Sequence, residues 1–85
     1  MQNVEIYTTP FCGFCHAAKR LLNQKGVTYI EVDLSVQPDR RAEMMQRSSG
    51  GRTVPQIFIG TTHVGGCDDL YALESRGKLD SLLAA

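Results

Sequence analysis

The chain contains no tryptophan and only three prolines in 85 residues. It also carries no net charge, since nine Lys+Arg balance nine Asp+Glu. A neutral chain lacks the basic surface that nonspecific nucleic-acid binding needs, so no nucleic-acid partner is expected. No apolar run approaches the ~20 residues of a membrane span, so no membrane partner is expected either. The first residues, Met-Gln-Asn-Val-Glu, show neither a basic stretch nor an apolar one, and without such a secretory leader a cytoplasmic location is expected. Cysteine is scarce and odd in number: Cys12, Cys15 and Cys67. That excludes a dense disulfide framework and points to a redox or metal pair in a reducing compartment.

What is present is globular. Hydrophobic residues make up 42% of the chain, and with glycine counted in place of tyrosine the share reaches the usual range of roughly 45–50%. The length allows one small domain, residues 1–85, without repeat or linker. Val4 to Tyr7 reads as a strand. Cys15, Ala18 and Leu22, with Ala17 and Leu21, keep the spacing of one buried helix face over Gly13–Gln24, and Gly26 stops that helix. Val27–Leu34 reads as a second strand, and Pro38 opens a short helix to Arg47. Thr53–Ile59 and Thr62–Val64 form a hairpin about Gly60-Thr61. A helix begins at Cys67 or Asp68 and runs to about Arg76, where Gly77 breaks it. Leu79, Leu82 and Leu83 predict a last apolar turn. The order βαβαββα gives an α/β fold, a four-stranded mixed sheet flanked by helices, with the first two strands parallel.

The chemistry concentrates at Cys12-Gly13-Phe14-Cys15. Positions three apart on a helix lie roughly 5 Å apart at Cα, within the about 4.4–6.8 Å that a disulfide spans. Cys12 sits ahead of the first turn, where free N–H groups and the positive helix end favour a thiolate; Cys15 faces the core with Ala18 and Leu22. Cys12 is the expected nucleophile and Cys15 the resolving thiol. A more acidic thiol is more ionised but less nucleophilic by a similar factor, so its main gain is as a leaving group. Three other readings fit less well. Cys12 to His16 matches a haem-attachment string, but haem attachment needs export and a larger cavity. A zinc site would need Cys12, Cys15, Cys67 and a His without a second C-x-x-C. A purely structural disulfide does not suit a reducing compartment.

Other residues invite plainer readings. His16 stands near Cys12 and is either a helper of its thiolate or a solvated helix residue. Lys19, Arg20 and Lys25 suit the C-terminal end of their helix. Met44 and Met45 read as core, His63 as strand surface, and Cys67 as a small buried hydrophobe. Arg47 and Arg52 flank a Ser/Gly loop. Gly65-Gly66-Cys67-Asp68-Asp69 is either an anion site at a helix start or a simple capped turn.

Cys12-Gly13-Phe14-Cys15 after a strand, Thr53-Val54-Pro55, and Gly65-Gly66-Cys67-Asp68-Asp69, in this order and spacing, resemble the glutaredoxin family over essentially the whole chain. The resemblance implies a thioredoxin-like fold and a glutathione-dependent thiol–disulfide oxidoreductase. It implies a cis Pro55, with Val54 pairing with the glutathione backbone and Phe14 and Thr53 framing the site. The Gly66 to Asp69 turn would hold the γ-glutamyl end, with Cys67 and Asp68 contributing, and Arg52 the glycyl carboxylate. The implied partners are glutathione and disulfide-containing or glutathionylated proteins, ribonucleotide reductase among them, served by a monomer. Two departures stand out: Gly13-Phe14 replaces the Pro-Tyr of many members, and Thr9 replaces a Lys. Gly13 resembles the Gly-Phe of cluster-binding relatives, and so brings in the alternative of a dimer holding a [2Fe–2S] cluster through Cys12 and two glutathiones.

Overall fold

The computed structural model describes residues 2–85. Four strands and four helices follow one another as β1 (Val4–Thr8), α1 (Gly13–Gln24), β2 (Ile30–Asp33), α2 (Arg41–Arg47), β3 (Gln56–Ile59), β4 (Thr62–Gly65), α3 (Cys67–Ser75) and α4 (Leu79–Ala84). A 3-10 turn, Pro38–Arg40, leads into α2. The strands lie in the order β2-β1-β3-β4. β1 runs parallel to β2 and antiparallel to β3, and β3 runs antiparallel to β4. No helix among the described residues is long and apolar enough to cross a membrane.

Alternation along the strands divides the core in two. Val4 and Ile6 of β1 and Ile57 and Ile59 of β3 point to one face, where Ala18, Leu21, Leu22, Leu70, Leu79 and Leu83 from α1, α3 and α4 cover them. Tyr7 and Phe58, one residue out of phase, point to the other face and pack with Val32, Leu34 and Met44 beneath α2. β3 is buried at every position, which is why Gln56–Ile59 reads as an apolar run without strict alternation.

Three boundaries differ from the sequence expectation. β2 begins at Ile30, not Val27, because β1 offers no partner before Glu5, which pairs with Ile30. Val27 instead closes the end of α1, donating its N–H to the Leu22 carbonyl at 3.4 Å, while Gly26 takes a φ of +71°. β3 begins at Gln56, not Thr53, because Pro55 has no N–H for the ladder and Thr53 and Val54 form a bend. The last apolar turn is a six-residue helix, α4, whose Leu79 and Leu83 are buried one turn apart. Lys25 at the end of α1 pairs with Glu74 of α3 at 2.6 Å and Asp80 of α4 at 2.9 Å, holding these helix ends together.

Candidate active site

Cys12 is the N-cap of α1, with extended backbone (φ −103°, ψ 107°). Its Sγ accepts the Cys15 N–H at 3.1 Å, so one of the unpaired donors of the first turn points at sulfur. The thiol stands 3.7 Å from the Val54 carbonyl oxygen. Cys12 is partly exposed, whereas Cys15 is fully buried. Burial pushes the Cys15 thiol up to about 12, helped by its hydrogen bond to Cys12 and by the Cys12 charge, with a Thr9 backbone bond acting the other way. The two sulfurs thus differ in access.

The residues around Cys12 leave it open. Phe11 is 99% exposed and Phe14 66% exposed. A side chain at Gly13 would meet no atom within 4 Å. His16 is not spent on the sulfur: its Nε2 donates to the Pro10 carbonyl at 3.0 Å, tying the loop before Cys12 to the helix.

Beside Cys12 lies a groove of about 450 Å³. One wall is Thr53, Val54 and Pro55, and the Val54–Pro55 peptide is cis. The other is Gly65 to Asp69 at the start of α3, with Phe14 at one end. The walls approach closely: a Cβ on Gly66 would stand 3.6 Å from the Pro55 carbonyl. Gly65 has a φ of +113°, and a Cβ there would press on the Asp69 carboxylate. That carboxylate accepts the Gly66 N–H at 3.0 Å, so part of the turn is capped from within. Cys67 is buried at the groove wall, and its thiol is pushed up by burial first, then by the charges of Asp68 and Cys12.

The structure therefore gathers Phe14, Thr53, Val54, Pro55, Gly66, Cys67 and Asp68 around one groove, with Cys12 at its edge. Arg52 is exposed and stands outside the lining; its carbonyl accepts Arg41 Nη1 at 2.9 Å. The family profile of glutaredoxin matches residues 4–64. The chain is 57% identical over 83 residues to Glutaredoxin 3 of Escherichia coli K12, a match covering 98% of this chain and 99% of that one. The solution structure of glutaredoxin from Brucella melitensis is 61% identical, with a TM-score of 0.83 over 98% of this chain and 89% of that one. The crystal structure of a buckwheat glutaredoxin–glutathione complex is 34% identical, with a TM-score of 0.89 over 98% of this chain and 77% of that one.

This chain belongs to the glutaredoxin family. Its fold is thioredoxin-like, as its glutaredoxin neighbours are, and family and fold together support a thiol–disulfide oxidoreductase. A [2Fe–2S] cluster takes four thiolate-type ligands. Among the described residues no three His, Cys, Asp or Glu side chains gather to hold a metal. A cluster in this glutaredoxin would use Cys12 and draw its remaining ligands from outside the chain.

The sequence did not point to two groove residues, Gln56 and His63. His63 does lie at the surface, but its ring stacks on Phe58 at 4.9 Å and its Nε2 meets Gln56 Oε1 at 2.7 Å. Its cross-strand register opposite Phe58 is the only signal, and register is not visible until the hairpin is built. A second polar group also escaped notice beneath α2. There Tyr7 OH donates to Glu43 and accepts Arg47 Nη1 at 2.9 Å, while Arg47 forks onto Glu5 at 3.1 and 3.3 Å.

Proposed function

We propose that this glutaredoxin reduces glutathione mixed disulfides and protein disulfides, using glutathione as the electron donor, with Cys12 as nucleophile and Cys15 as resolving thiol. The observation that carries the reading is the Cys12 sulfur, held at a helix N-terminus 3.1 Å from an N–H and opening beside a groove of tripeptide size. Cys12 attacks the glutathionyl sulfur of a mixed disulfide. A Cys12–glutathione bond forms, and the substrate thiolate leaves. The groove then holds the tripeptide: the backbone of Val54 pairs with it, Thr53 and Phe14 frame it, and Gly66 to Asp68 receive its γ-glutamyl end. Arg52 reaches the glycyl carboxylate only if its exposed side chain turns toward the groove.

Two routes complete the cycle. A second glutathione thiolate attacks the glutathionyl sulfur, releasing glutathione disulfide and returning the Cys12 thiolate. Alternatively, Cys15 attacks the Cys12 sulfur, forming the Cys12–Cys15 disulfide and releasing glutathione; two further glutathiones then reduce that disulfide, leaving as glutathione disulfide and restoring both thiols. Burial keeps Cys15 protonated, and a negative charge on Cys12 adds to that. Once Cys12 is capped by glutathione its charge is gone, so Cys15 becomes easier to ionise at the point where it is needed. All of these groups come from one chain, so a monomer suffices.

The test is turnover of a glutathionylated peptide with glutathione as reductant. The wild type should exceed free glutathione by orders of magnitude, and Cys12→Ser should fall to the uncatalysed rate. A wild type no faster than free glutathione would refute the proposal.

A further inference from the structure

We propose that His63, acting through Gln56, is a positioning residue that holds the Thr53-Val54-Pro55 wall in the orientation in which it receives glutathione. This rests on the reading of the groove as a glutathione site. Gln56 is the first residue of β3 and is buried at the foot of that wall. Its Nε2 donates to the Thr53 carbonyl at 3.0 Å. Its Oε1 is then an acceptor, and His63 Nε2 stands 2.7 Å from it, so that ring nitrogen carries the hydrogen. The reverse amide orientation would set two acceptors against each other at Thr53. A one-way relay results, from His63 Nε2–H through the Gln56 amide to the Thr53 carbonyl, and each bond polarises the next.

Both ends of the relay are fixed. The His63 ring is stacked on Phe58 of the facing strand with 28° between the planes. Phe58 in turn lies 4.1 Å from the Arg47 guanidinium, which Glu5 anchors. At the other end, Thr53 precedes Val54, whose carbonyl stands 3.7 Å from the Cys12 sulfur. Gly51 admits the amide: a Cβ there would come within 2.9 Å of Gln56 Nε2. His63 Nε2 is directed at Gln56, so its influence passes through the wall rather than through the sulfur.

Steady-state kinetics of the full chain on a glutathionylated peptide tests this, with folded sites counted by Cys12 alkylation. His63→Phe keeps a ring over Phe58 and removes the donor. KM should rise about fivefold, the loss of one neutral hydrogen bond, with kcat within about twofold. His63→Gln carries an amide N–H near the place of Nε2 and should restore KM to within about twofold of wild type. Gln56→Leu should raise KM as His63→Phe does. An unchanged KM in His63→Phe, equal losses in His63→Phe and His63→Gln, or a fall confined to kcat would each overturn the positioning role. A wild type without glutathione-dependent turnover would instead overturn the reading of the groove.

Discussion

Cys15 is the residue at which structure and reactivity are most tightly joined. It is fully buried, and its thiol is pushed up to about 12, by burial first and by Cys12 second. Cys15→Ser should leave turnover of glutathionylated peptides largely intact, because glutathione itself resolves that intermediate. Reduction of a protein's internal disulfide should fall by at least about tenfold, because the internal thiol attack is lost. A folding consequence follows from the same shift. A thiol harder to ionise in the folded state than in the unfolded one contributes stability below its ordinary value of 9.0 that is lost as pH rises toward about 12. Thermal melts of the reduced protein between these limits should fall less steeply in Cys15→Ala than in the wild type, and equal slopes would contradict the burial argument. The difference in burial between the two cysteines was legible in the sequence, because one pair at i, i+3 at a helix start leaves one sulfur outside and one inside. His63 and Gln56 were not legible, because their partnership is made by cross-strand register and by a bend that no local pattern encodes.

At the scale of elements, the site is built where three chain segments end: the start of α1, the bend before β3 and the start of α3. Gly65 sets how β4 hands over to α3. Gly65→Ala should cost about 1–3 kcal/mol, since φ +113° is strained for a side chain. The same variant should raise KM for glutathione substrates by displacing the Asp69 carboxylate that caps Gly66. Denaturant unfolding and kinetics on the one variant check both effects. α4 is a separate case, since none of its residues lines the groove. Leu79 is fully buried, and Leu79→Ala should cost about 2–5 kcal/mol with KM unchanged. Helix existence and buried faces followed from periodicity, as Cys15, Ala18, Leu21 and Leu22 show. Strand ends did not, because the limits of β2 and β3 are decided by where β1 offers a partner and where Pro55 has no N–H to give.

Across the whole molecule, charge is balanced, and half of the charged side chains are in ion pairs among the described residues. Ser35 holds the Asp33 carboxyl below its ordinary value, and Arg40 with Tyr7 does the same for Glu43. For Glu31, burial opposes ionisation, but the Thr8 hydroxyl and Lys19 outweigh it and the carboxyl is lowered. These groups contribute stability above their unfolded values that is lost as pH falls below them. Lys19 and Lys25 are raised by Glu31 and by Glu74 with Asp80, and they contribute stability that is lost as pH rises through the alkaline range. Thermal melts across pH should therefore show a plateau between about 5 and 9 with decline on both sides; a melting point still climbing at either edge would contradict the pairing. In the proposed cycle the glutathionyl group passes through one sulfur, Cys12, seated at the groove. The most direct measurement is to mix Cys15→Ser with a glutathionylated peptide and locate the adduct by mass spectrometry of the intact protein and of its proteolytic fragments. One glutathione per chain is expected, carried on Cys12 and released by added glutathione. An adduct on Cys67, or none at all, would contradict the cycle.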